Sequence, residues 1–399
     1  MKSDIQFTGT TDCTASSRLF PAAIRRNINS FCLVGLFLFA TLLCSAETAK
    51  KKHQVQPASS HPVVAKVSDS RVAPLPAGEK VVSYHAPYDA GDCSICHQNN
   101  DAKNPGPVKS AVNDLCMSCH DDFRQTLARK YAHPAAQQSC VNCHNPHDSK
   151  QPKLLLEDSG TLCLDCHEQI KKTALEATVK HDALTQGDKC VNCHNPHGAN
   201  VEHLLVQLPM QLCLQCHGKD DVADHDGKKL TNMTKLLADN PHQHGPVAAQ
   251  DCSSCHIPHG SNNFRLLTSA YPAKFYSSYD SQNYALCFSC HDEKAFTQPQ
   301  TEELTQFRDG SKNLHFVHVN KGEMGRTCRA CHEVHASVQE HQIRDAVPYG
   351  PRGWLLKINF SKTETGGSCA KTCHATRTYN NSRPKASASV TESNHDAKP

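Results

Sequence analysis

A chain of 399 residues has the length of two or three ordinary domains, but only 38% of its residues are hydrophobic, one is Trp, and mean hydropathy is −0.55. That composition excludes a conventional apolar core for each of them, so something else must fill the interior. The formal net charge of +3 is too small to mark a nucleic-acid or anionic-membrane surface.

The chain opens with Arg25 and Arg26 ahead of the apolar run Phe31 to Leu43, followed by Cys44-Ser45-Ala46. This reads as a signal peptide over residues 1–46. The run falls short of the roughly 20 residues a bilayer span needs, so no membrane span is expected after cleavage. Residues 47–83, rich in Lys, Pro, Ala, Ser and Val without sustained period, read as a flexible linker. The polar stretch 377–399 reads as a disordered tail. His53, His61 and His395 fall in these flanks and are expected at the surface.

Residues 84–376 carry an internal repeat. Nine CxxCH motifs place their residues at Cys93, Cys96 and His97; Cys116, Cys119 and His120; Cys140, Cys143 and His144; Cys163, Cys166 and His167; and Cys190, Cys193 and His194. They continue at Cys213, Cys216 and His217; Cys252, Cys255 and His256; Cys287, Cys290 and His291; and Cys328, Cys331 and His332. A longer CxxxCH motif holds Cys369, Cys373 and His374. These use 20 of the 23 cysteines, and Cys13, Cys32 and Cys44 lie in the expected signal peptide.

A zinc ribbon or a thioredoxin-like pair also uses CxxC, but neither needs a histidine directly after the second cysteine. CxxCH is the attachment signature of haem c: two thioethers fix the porphyrin and the histidine becomes the proximal iron ligand. About ten covalently bound haems are therefore expected. Their propionates bring the mature holoprotein to roughly −9.

Successive motifs begin 23, 24, 23, 27, 23, 39, 35, 41 and 41 residues apart. One kind of half-unit has a leucine before its first cysteine (Leu115, Leu162, Leu212, Leu286), and the other has a histidine upstream and a CxxCHxxH ending. Phe123, Leu127 and Tyr131, and Ile170, Ala174 and Ala177, show helical spacing. Tyr271, Phe275, Tyr276, Tyr279, Tyr284 and Phe288 form an aromatic stretch expected to pack against porphyrin faces. No run of paired strands is evident. The expected architecture is a mostly irregular chain with short α-helices, wrapped on a stacked row of ten haems, with no extensive β-sheet.

Five methionines cannot serve ten irons, whereas 17 histidines remain beyond the proximal ten. Bis-histidine ligation follows. A histidine three residues after a proximal one cannot reach the opposite face of the same iron, so it should serve a neighbour. The repeat assigns distal roles to His85, His133, His147, His181, His197, His244, His259, His318 and His335. The first motif is followed by Gln98-Asn99-Asn100 where a trailing histidine is expected, which leaves one distal ligand unassigned. His225 is the candidate, with His203, His242, His315 and His341 in competition.

The motif spacing, with Leu286-Cys287-Phe288-Ser289-Cys290-His291, Leu314-His315-Phe316-Val317-His318-Val319, Cys328 to His335 and Gly366 to His374, resembles the doubled-CxxCH multihaem cytochromes of metal-respiring bacteria. That resemblance covers residues 85–376 and implies low-potential haems that form an electron wire in periplasmic or outer-surface respiration. Its expected partners are redox proteins: a quinol-linked or periplasmic donor, and an outer-membrane β-barrel or surface cytochrome as acceptor. An exported protein is expected, periplasmic first, with outer-membrane-associated or extracellular placement as the other option. No catalytic residue is assigned, since two imidazoles close an iron to substrate. Two alternatives stay open: a nitrite, hydroxylamine or tetrathionate reductase with one open haem, and a filament in which a neighbouring subunit supplies the missing ligand.

Overall fold

The computed structural model describes residues 69–224, 226–350 and 353–382; the expected signal peptide, residues 47–68 and residues 383–399 lie outside these. Its elements are short because each attachment motif is itself a turn. In eight CxxCH motifs the backbone N–H groups of the second cysteine and the histidine both donate to the first cysteine's carbonyl, as Cys96 and His97 do to Cys93 at 3.2 and 2.8 Å. The remaining one, at Cys213, lies inside the helix Pro209–His217. One helical turn therefore presents two thiols and an imidazole together.

Histidines followed by proline begin the next helices. His85, His133 and His244 are extended N-cap residues before Ala86–Asp89, Pro134–Gln138 and Gly245–Ala248, each with Pro in its first two positions. Proline's fixed φ suits the start of a helix and ends the extended stretch there. Helix Asp122–Leu127 stops before Tyr131, which belongs to a strand, so the helical spacing read through Tyr131 runs one turn too far. Helix Glu168–Glu176 ends at Ala177.

Two-residue strand pairs lace distant motifs together. Ser83–Tyr84 pairs with Asp148–Ser149, Tyr131–Ala132 with Gly198–Ala199, and His242–Gln243 with Ala336–Ser337; Val179 and Ser261 form the equivalent single bridge. Each lies beside two ligand candidates. The N–H of His85 donates to His147 O at 2.9 Å, His133 to His197 O at 3.0 Å, and His244 to His335 O at 3.0 Å. We call each such junction a clasp. The approach is close: a Cβ on Gly198 would meet Thr126 O at 2.4 Å, and one on Gly260 (φ +131°) would meet the Ala177 Cβ at 2.8 Å.

The first clasp also corrects the linker boundary. Ala73 O accepts from Asn145 Nδ2 and Leu75 N donates to Asp148 Oδ1, so residues 69–83 pack on the loop after His144 and are not free. The tail boundary shifts as well. Strand Arg377–Asn380 pairs with Gly366–Cys369, which in turn pairs with Phe360–Thr363. A hairpin of Ala346–Tyr349 and Trp354–Lys357 precedes this sheet. These are paired strands where the sequence showed none, although each is only four residues long.

Among the described residues, side chains that pack only on one another are few. The main cluster is Leu267, Tyr271, Tyr284 and Val319. The aromatic stretch from Tyr271 supplies it, with Tyr284 lying edge-on to Tyr271 and stacked with Tyr279. Protein aromatics pack here on each other across the junction between the Cys287 and Cys328 motifs.

Candidate functional site: opposed imidazoles beside paired thiols

Ten histidine pairs face one another among the described residues. His97 opposes His147 with ring centroids 6.2 Å apart, and His120 opposes His85 at 6.2 Å. His144 opposes His197 and His167 opposes His133, both at 6.1 Å. His194 meets His259 at 6.0 Å and His217 meets His181 at 6.1 Å. His256 meets His335 at 6.3 Å and His291 meets His244 at 6.1 Å. The last two pairs are His332 with His315 at 6.5 Å and His374 with His318 at 6.4 Å.

This spacing would accommodate a metal between the rings. A metal–imidazole bond of about 2.0 Å, with about 1.1 Å from each nitrogen to its ring centre, puts two trans imidazoles about 6.2 Å apart. No cluster of three or more His, Cys, Asp or Glu side chains that could hold a bare metal ion occurs among the described residues. Two imidazoles beside two thiols on one turn would suit a covalently attached haem, and since no three of these groups converge among the described residues they do not form a zinc site.

A model of the Doubled CXXCH motif family matches residues 85–125, 133–172, 181–222 and 244–296. The chain belongs to the doubled-CXXCH multihaem c-type cytochromes. No curated protein matches it. The cytochrome binds haem c covalently through its CXXCH motifs. Each matched stretch begins at an upstream histidine and spans two motifs, so the first module runs from His85 through the second motif.

The clasps explain how these modules fit. His85, at the start of the first module, opposes that module's second proximal histidine, His120. His147, in the trailing loop of the second module, opposes the first module's His97. Both distal positions of one module thus come from a single clasp shared with the next, and the same holds through His133 with His197, His181 with His259 and His244 with His335. The first motif has no trailing histidine because no earlier module requires one.

The fifth module closes itself. His315 and His318 sit three residues apart on helix Leu314–Val319 and oppose His332 and His374. His315 is thus the ring facing the position for which His225 was the candidate; His225 itself lies outside the described residues. Burial, with His332 and His318 beside it, pushes the His315 imidazole down to about 4, and Thr305 Oγ1 lies 3.0 Å from its Nδ1. The CxxxCH spacing has a local cause: Cys369 ends a strand and so is not on a helical turn with His374.

A second set of groups orients the proximal rings and was not visible in advance. The Nδ1 of His97, His144, His194, His256 and His332 lies 2.7–3.0 Å from the carbonyl nine residues on, at Gly106, Lys153, His203, Arg265 and His341. In the last four the carbonyl residue and its successor both have positive φ, as at Lys153 (60°) and Leu154 (56°). Each is a tight left-handed turn without glycine, a strain of about 1 kcal/mol or more per residue that aims a carbonyl at the ring. An Nδ1–H bound in this way leaves Nε2 as the ligand and raises its basicity. His203 and His341 thus act through their backbone, and His203 has an exposed ring. His242 pairs through its strand.

The motifs also approach one another in sequence order. Cys116 and Cys140 are close enough to shift each other's thiol, as are Cys163 and Cys190, Cys213 and Cys252, and Cys287 and Cys328. Between these pairs the second cysteines act on one another through charge. Burial and then Cys119 raise Cys96; burial with Cys166 raises Cys143; burial with Cys216 raises Cys193.

Polar ties hold these junctions. Asn113 Oδ1 accepts from Cys140 N at 2.9 Å, and Asp158 binds Lys189. Lys189 and Thr161 keep the Asp158 carboxyl well below the usual range, so this tie is intact above about pH 4 and is lost as pH falls through its depressed value. Asp158→Asn should lower thermal stability by under about 1 kcal/mol at pH 6, since the pair is exposed, and the difference should vanish in strong acid. An equal loss in acid would show that charge is not involved.

Proposed function

We propose that this cytochrome carries ten haems, each between the two imidazoles of one opposed pair, and passes electrons along them in chain order. The observation that carries the proposal is the set of ten pairs at 6.0–6.5 Å, each formed within one chain. When bound, such haems supply one-electron chemistry at potentials tuned by ligand, exposure and nearby charge. The chain's part is to fill both axial positions, exclude substrate from the iron and hold neighbouring attachment sites in contact. The alternating thiol contacts support a single unbranched order.

The reductase and filament alternatives both drew on one unassigned distal ligand. His147 opposite His97 and His315 opposite His332 account for it, so we favour an electron carrier. We further propose an exported protein that meets redox partners at the two ends of the row. No helix among the described residues is long and apolar enough to cross a membrane.

The mass of the mature protein and its electron paramagnetic resonance spectrum test the reading together. Ten haem increments with only low-spin ferric signals, and a redox titration spread at low potential, are expected. A resolved high-spin signal in the intact protein, or a mass short of ten haems, would overturn it.

A further inference from the structure

The His256–His335 pair differs from its repeat equivalents in charge. At the position directly after the proximal histidine, earlier modules have Gln98, Asn145, Asn195 and Ile257, and the fifth has Glu333. Twelve residues after that histidine they have Lys109, Leu156, Val206 and Thr268, and the fifth has Arg344. After the first cysteine they have Ser94, Val141, Val191 and Ser253, and the fifth has Arg329.

These substitutions meet at one axial ligand. Glu333 Oε1 lies 3.5 Å from His335 Nδ1, and its Oε2 lies 2.8 Å from an Arg344 terminal nitrogen, with the side chains only 20% and 10% exposed. Arg344 Nε donates to His332 O at 2.8 Å, which fixes the guanidinium. Arg329 has a buried Nε without a partner in the structure and acts electrostatically on Glu333 and Arg344. Among the described residues, His335 is the one axial histidine paired with a carboxylate.

We propose that Glu333 is a positioning residue that lowers the reduction potential of one haem, the one between His256 and His335, while Arg344 limits that effect. The proposal rests on the bis-imidazole reading above. A carboxylate at Nδ1 strengthens the imidazole as a donor and favours the higher charge on the metal, whereas the guanidiniums oppose it. The junction between the fourth and fifth modules thereby acquires a potential step that the earlier junctions, with no carboxylate paired to an opposed histidine among the described residues, lack.

The test uses the intact holoprotein with Glu333→Gln, Glu333→Asp and Arg344→Gln, read by redox titration and by the low-spin ferric signals. Gln keeps an acceptor but removes the charge. One haem of E333Q should shift about tenfold toward the reduced form at fixed potential, an upward step of about 59 mV for one electron. E333D should lie near the parent, and R344Q should move the same haem downward. A merely structural role would shift E333Q and E333D alike, or would move several haems, and either result overturns the proposal. So does an E333Q protein with ten haems and no displaced wave. If the parent itself lacks ten low-spin haems, the ligation reading fails, which its own spectrum shows before any variant is made.

Discussion

His147→Ala should open one iron, and that iron should be the one attached at Cys93 and Cys96, not the one attached three residues away from position 147. The ring of His147 opposes His97, whereas its neighbour His144 is opposed by His197. Loss of the imidazole leaves the clasp's backbone bonds in place, since His85 N donates to the carbonyl of residue 147. One of ten ferric sites should turn high-spin and bind carbon monoxide once reduced, at one equivalent per chain. The location is checked by repeating the substitution in a protein lacking residues 1–125. There the partner iron has been removed with its module, so H147A should produce no high-spin signal. A persistent signal would show that His147 serves its own neighbourhood.

Truncation should be asymmetric. A chain ending at residue 296 keeps eight motifs but loses His335, so it should contain one high-spin iron beside His256. A chain starting at residue 126 also keeps eight motifs and should have none, because no later module takes a ligand from the first. The C-terminal truncation should also be the less stable of the two. It removes Val319 from the cluster with Leu267, Tyr271 and Tyr284, a loss of about 1.5–3 kcal/mol for one buried side chain. Spin-state counting and thermal melts check both parts, and equal behaviour of the two truncations would contradict the shared clasps.

How much of this was readable in advance follows from what each feature costs in sequence. Covalent attachment demands two cysteines and a histidine at near-fixed spacing, so every motif stood out, including the longer one at Cys369. The nine assigned distal histidines recur with the repeat, and all nine rings stand opposite a proximal one. His315 did not recur. It faces His332 because a six-residue helix places it and His318 three apart, and the sequence offered His225 as a rival histidine. The pairing of modules was also hidden, since a trailing histidine declares only that it serves another iron, not whether that iron lies before or after it.

The orienting carbonyls left a fainter trace. Lys153-Leu154-Leu155, His203-Leu204-Leu205 and Arg265-Leu266-Leu267 recur at one distance from their proximal histidines, a pattern that could have marked the turn. Nothing about a lysine or histidine suggests positive φ, because tertiary contacts impose it. Strands of two to four residues have too little period to detect, which is why the clasps and the sheet ending at Asn380 appear only in three dimensions.

The self-closing helix at Leu314–Val319 makes this architecture extensible in one direction. A module added in front would bring two irons and borrow one loop from its successor, so the present first motif would need a histidine in place of Asn100, three residues after His97, and nothing further behind it would change. The final module alone needs its own second histidine. Chains built on this plan should differ in length by even numbers of haems and vary at the front, with the pair of histidines on one helix marking the end of the row.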